Sequence, residues 1–139
     1  MKKFIFVSII VLSALACKKK DFAPEGPTDV RIKNISDITF NEVVVSTSEN
    51  KGDTLSFGNI ISGAATEYIR LSKAYPKAEI SAKIAVNGAL IKFSTGPVNY
   101  TYMQYIGQDM VTFEVYISNM NTHELTISKI VLDAPLVLK

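Results

Sequence analysis

Ala78-Glu79-Ile80-Ser81-Ala82-Lys83-Ile84-Ala85-Val86-Asn87-Gly88-Ala89-Leu90-Ile91-Lys92-Phe93-Ser94 is two alternating runs joined by a turn dipeptide. Ala78, Ile80, Ala82, Ile84 and Val86 fall on one face of an extended chain, and Glu79, Ser81 and Lys83 on the other. Asn87-Gly88 suits a two-residue type I′ turn, which needs positive φ at both positions. That turn sets Val86 opposite Ala89, Ile84 opposite Ile91 and Ala82 opposite Phe93, so one apolar face crosses both strands and fixes the register. The same register places Lys83 opposite Lys92, a repulsive pair if both are exposed.

Working outward, residues 29–34 alternate around Val30 and Ile32, and Ser36-Asp37 makes a turn. Ile38, Phe40, Val43 and Val45 then change phase near Asn41-Glu42, as a bulge requires. Residues 47–52 read as a polar loop, 54–57 as a short strand, 60–65 as a connection and 66–71 as another strand. Tyr100 and Tyr102 are expected on one strand face, Phe113, Val115 and Ile117 on the inward face of 111–118, and 125–132 forms the last strand. About seven or eight short strands, with no amphipathic helix between them, predict an all-β chain built as a single antiparallel β-sandwich. Immunoglobulin-like topology is one version, although the Cys, Trp and Cys hallmarks of true immunoglobulin domains are missing. A transthyretin-like sandwich or a small barrel would give the same pattern.

The N-terminal end is of a different kind. Lys2-Lys3 precede an apolar stretch from Phe4 to Ala16, too short for the roughly 20 residues a spanning helix needs. Ala14-Leu15-Ala16-Cys17 follows, then Lys18-Lys19-Lys20-Asp21, and Cys17 is the chain's single cysteine. This ending resembles the lipobox of Bacteroidota-type bacterial lipoproteins, with Ala14 and Leu15 in reversed order. The resemblance implies a signal peptide over residues 1–16, diacylglyceryl attachment to the Cys17 thiol, and acylation of the freed amine. It also implies residence in the cell envelope at the outer membrane, on a face left open. Residues 17–27 then form the acylated N-terminus and a tether containing Pro24, Gly26 and Pro27, and residues 28–139 the β-sandwich domain. Lys18 to Lys20 read either as part of a surface-display signal or as contacts to anionic head groups.

Charge and chemistry narrow the function classes. Once Lys2 and Lys3 leave with the signal, thirteen basic side chains balance thirteen acidic ones, and no basic stripe forms, so nucleic acid is not an expected partner. A lone cysteine rules out an internal disulfide. His123, the single histidine, sits in a turn-like segment and cannot assemble a multi-histidine zinc site. Residues 49–53 offer oxygens but lack the alternating acidic pattern of a calcium loop, and Lys51 sits among them. No nucleophile elbow occurs, so neither catalytic residue, cofactor nor metal is expected. Asp53-Thr54-Leu55 resembles the Asp-Ser/Thr-aliphatic site at which Bacteroidota-type bacteria O-glycosylate exported proteins, implying a sugar on Thr54.

Tyr100, Tyr102 and Tyr105, with Met103 among them, make the most suggestive segment, since flat rings with polar tips suit sugar or peptide contact. The competing reading packs one or two of them into the sandwich. The expectation is a membrane-anchored envelope lipoprotein with a non-enzymatic structural or binding domain, meeting lipid through Cys17 and a glycan or an envelope protein through its surface. A carbohydrate- or peptide-binding module is the alternative, and a hydrolase using dispersed carboxylates the third.

Overall fold

The protein is seen in a computed structural model that describes residues 27–46 and 54–133. Eight strands run in chain order: β1 (Thr28–Asn34), β2 (Phe40–Ser46), β3 (Thr54–Ile60), β4 (Ile69–Leu71), β5 (Glu79–Val86), β6 (Ala89–Ser94), β7 (Met110–Asn119) and β8 (Glu124–Asp133). No helix occurs among the described residues. The strands form one curled sheet, a half-barrel, in the order β3-β2-β5-β6-β8-β7-β1-β4.

The hairpin forms as its turn chemistry dictates. Asn87 and Gly88 take φ values of 51° and 84°, and the pairs Val86–Ala89, Ile84–Ile91 and Ala82–Phe93 are in place. Lys83 does face Lys92, but its ammonium pairs with the Glu42 carboxylate on the neighbouring strand. Glu42 reaches it from the bulge: its φ is 47°, register shifts fall between Phe40 and Val43, and its N–H donates to Asn59 Oδ1 at 3.1 Å. One extra residue turns an acid toward the lysine that the register leaves without relief.

Long-range pairing departs from an all-antiparallel arrangement. β1 and β7 lie parallel over six residue pairs, from Asp29–Met110 to Asn34–Val115. β6 and β8 meet at a single parallel pair, Ser94–Glu124, backed by the Ser94 N–H to His123 carbonyl bond at 3.1 Å. The expected strand over 66–71 shortens to Ile69–Leu71, because Thr66 is committed elsewhere. Its N–H donates to the Ile32 carbonyl at 2.9 Å, and its hydroxyl accepts the Ile32 N–H at 3.1 Å.

Three phenylalanines, Phe40, Phe93 and Phe113, anchor the core with Ile32, Ile80, Ile84, Val45 and Val115, all fully buried. Two polar residues share the inward phase of β1 with Val30 and Ile32. Asn34 is fully buried: its amide donates to the carbonyls of Ile38 (2.8 Å) and Ile60 (3.1 Å), and its oxygen accepts the Ser36 N–H (2.9 Å). One side chain thus joins the end of β1 to the start of β2 and the end of β3, where backbone groups would otherwise be buried unpaired. Thr28, at the other end of β1, is likewise fully buried and donates to the Gly107 carbonyl at 2.6 Å.

Candidate functional site

Residues 99–109 do not form the expected strand, and Tyr100 and Tyr102 share no face. A turn closed by the Met103 N–H to Tyr100 carbonyl bond (3.0 Å) sends the two rings apart. Tyr100 points inward and is only 7% exposed; its hydroxyl donates to the Ser46 carbonyl (2.8 Å) and accepts the Glu79 N–H (3.3 Å), tying β2 to β5. Burial pushes its pKa up, the Glu79 amide partly offsets this, and the Glu79 charge adds to the rise. Tyr100 is therefore a structural post rather than a contact surface. Tyr75 stacks tilted between Tyr100 and Tyr105, at centroid distances of 4.9 and 4.8 Å. Lys73 Nζ sits 4.8 Å from the Tyr105 centroid and donates to its hydroxyl at 3.2 Å. Tyr102 is left at the tip, 101% exposed, with φ at 63°.

The loop is stitched to the start of the fold. Ile106 N–H donates to the Ala74 carbonyl (2.9 Å), the Thr28 hydroxyl to Gly107, and Asp29 N–H to the Asp109 carbonyl (2.9 Å). The backbone leading toward the N-terminus thus emerges beside the tyrosine cluster.

The outward face of β1, β7 and β8 carries the densest polar network. Arg31 Nε donates to Thr112 Oγ1 (2.7 Å), Thr112 donates to Asp133 Oδ2, and Tyr68 donates to the same oxygen (2.6 Å), while the Arg31 guanidinium covers the Tyr68 ring at 4.5 Å. Partial burial alone would raise the Asp133 pKa; the Thr112 and Tyr68 hydrogen bonds and the Arg31 charge outweigh it, and the net shift is downward. Burial, reinforced by the bond to Asp133, raises that of Tyr68. Lys33 pairs with Glu114 at 2.9 Å, and Arg70 forks onto Asp29 at 2.9 and 3.0 Å, which lowers the Asp29 pKa. These groups satisfy one another across the strands, as cross-strand pairs on a sheet do.

An open cleft of about 470 Å³ lies where β6 and β8 part after their single pair. Pro76, Ala78 and Val98 form one wall, Leu125, Ile127 and Ile130 the other, with Lys77 and Lys129 beside them. Beyond Glu124, the edge of β8 away from β7 has no ladder partner among the described strands. The cleft has no local signal in the sequence, since its walls lie about thirty to fifty residues apart; nor does anything local pair Tyr75 with Tyr105, thirty residues on.

His123 stands in the β7–β8 turn with φ at 57°, its ring edge-on to Phe93 at 5.0 Å. Thr54 opens β3, exposed, opposite Ser46. Cys17, the tether up to Gly26 and the loop over 49–53 lie outside the described residues, and among the described residues no three metal-ligating side chains gather.

No family model and no curated protein matches the chain. Among solved structures, the chain is similar to an NMR structure of a protein from Eubacterium rectale, at 17% identity and a TM-score of 0.41, covering 79% of this chain and 94% of that one.

Proposed function

We propose that the protein is an envelope lipoprotein, anchored through acylated Cys17, whose non-enzymatic β-domain serves as a structural or binding module. The observation that carries this reading is the way the chain enters the fold. Thr28, the first residue past the expected tether, is fully buried and pinned to Gly107, so the point at which a tether would join the domain is firmly held. The polar groups of the β1–β7–β8 face also favour a structural part, because each is engaged by a neighbour at hydrogen-bonding distance. Cys17→Ala is expected to abolish palmitate labelling and move the protein out of the membrane fraction; an unchanged membrane fraction would sink the anchor. The half-barrel is read as an immunoglobulin-like or transthyretin-like sandwich, four strands (β3-β2-β5-β6) facing four (β8-β7-β1-β4), because the ladder between the two halves is a single residue pair.

The cleft beside β8 favours a second reading, a binding module for an extended peptide. Unpaired strand-edge groups beside apolar walls are what an added strand uses. Tyr105 and the exposed Tyr102 remain candidates for a glycan in the same reading. Shifted amide signals over residues 125–130 on titration with a peptide panel are expected; unmoved signals, together with an empty glycan array, would remove it.

A further inference from the structure

Tyr102 joins a left-handed backbone to a ring that packs on nothing in the domain. Its left-handed φ of 63° is a conformation that strains an L-residue, at a turn position that favours Gly or Asn. Its ring is fully exposed, so no packing compensates. Backbone strain that holds a large aromatic ring out into solvent has a rationale when something outside the domain receives the ring.

The chain's own path says what that is. The backbone toward the N-terminus leaves at Thr28, which is bonded to Gly107, five residues from Tyr102 in the same loop. Ten residues, 18–27, separate it from Cys17. Even fully extended, ten residues reach no further than about 36 Å, against a radius of gyration of about 13 Å for a domain this size. An anchor at Cys17 therefore favours approach to the bilayer by the end of the domain where Thr28 and this loop lie; the β5–β6 turn is at the other end, because β7 and β8 run from Met110, beside Asp29, to Glu124, and Ser94, the end of β6 away from the turn, pairs there. Tyrosine suits the head-group zone, with an apolar ring and a polar tip, and half-exposed Met103 adds apolar surface beside it. Tethering raises the local concentration to about the millimolar range, so a weak contact is enough.

Resting on the anchor reading, we propose that the Tyr102 loop is a membrane-docking edge: Tyr102 inserts into the lipid head-group interface and sets the orientation of the domain. Charge contributes little, since Lys73 and Lys77 are balanced nearby by Glu79 and Asp109, and Asp29 is paired with Arg70. On a zwitterionic phosphatidylcholine bilayer, which gives Lys18 to Lys20 no anionic head groups to meet, docking is accordingly insensitive to salt.

The chain contains no tryptophan, so Tyr102→Trp and, on the hairpin, Leu90→Trp give single reporters at two exposed sites. The full lipidated protein is placed in phosphatidylcholine vesicles with brominated acyl chains. The expected result is about twofold or greater quenching of the residue-102 reporter relative to unbrominated vesicles, unchanged by salt, with the residue-90 reporter unaffected. An unquenched residue-102 reporter on protein that co-floats with the vesicles would overturn docking and leave the anchor standing, pointing the ring to a protein partner instead. Equal quenching at both sites would also overturn it, because no orientation is then imposed. Failure to co-float would overturn the anchor and docking together.

Discussion

At the scale of the residue, the fold depends on a few polar side chains set where apolar ones are expected. Asn34 sits in phase with Val30 and Ile32, and its three hydrogen bonds serve three separate segments. Asn34→Ala would leave the Ile38 and Ile60 carbonyls without this donor, and the expected cost is about 2–3 kcal/mol in denaturant unfolding. Asn34→Leu should be no better, since volume does not replace a donor. Tyr100→Phe keeps the ring between β2 and β5 but removes the bond to Ser46, at an expected cost of about 1–2 kcal/mol by the same measurement. Tyr102→Ala, by contrast, should leave the midpoint of a lipid-free sample unchanged within about 0.5 kcal/mol, because its ring packs on nothing. The sequence alone made the two tyrosines hard to tell apart. Alternating tyrosines look like a strand face, and only the turn at Tyr100–Met103 shows that one is a post and the other a tip.

Among the elements, the β5–β6 hairpin was the most legible, because its information is local: a turn dipeptide with the right φ preference and apolar positions two apart on each side. Gly88→Ala, at φ 84°, should cost about 1–2 kcal/mol through backbone strain, as its Cβ meets nothing within 4 Å. Lys92→Glu, on the exposed face opposite Lys83, should change stability in the favourable direction by about 0.2–1 kcal/mol, seen as a raised thermal midpoint that salt reduces. The bulge at Glu42 was equally readable from the phase slip. Partners distant in sequence were not. Nothing in residues 28–34 or 110–115 says that they run side by side in parallel, because eighty residues separate them and each alternates as it would in any ladder. The cleft went unread for the same reason.

For the whole molecule, the titrating groups bound a stability plateau on both sides. Asp29 and Asp133 have folded pKa values below their ordinary ones, so the stabilisation they confer is fully present above the unfolded value of about 3.9 and is lost as pH falls through the lower folded value. Tyr68 and Tyr100 shift the other way. Their contribution is fully present below about pH 10 and is lost as pH rises through the raised folded values. Denaturant midpoints followed against pH should therefore be flat in between, and Asp133→Asn should weaken both limbs, since Asp133 also raises Tyr68. A midpoint that rose on acidification below pH 4 would contradict the pairing.

The parallel register of β1 and β7 also determines how the molecule bears force. A force applied at Thr28 along the axis of β1 meets six residue pairs with β7 that lie side by side across that line rather than in sequence along it. Such a joint is loaded in shear, so its hydrogen bonds share the tension and must yield together, whereas a hairpin pulled at its open end unzips one bond at a time. Forced unfolding is governed by the unfolding rate, and a pull from the N-terminus is met first by this parallel seam.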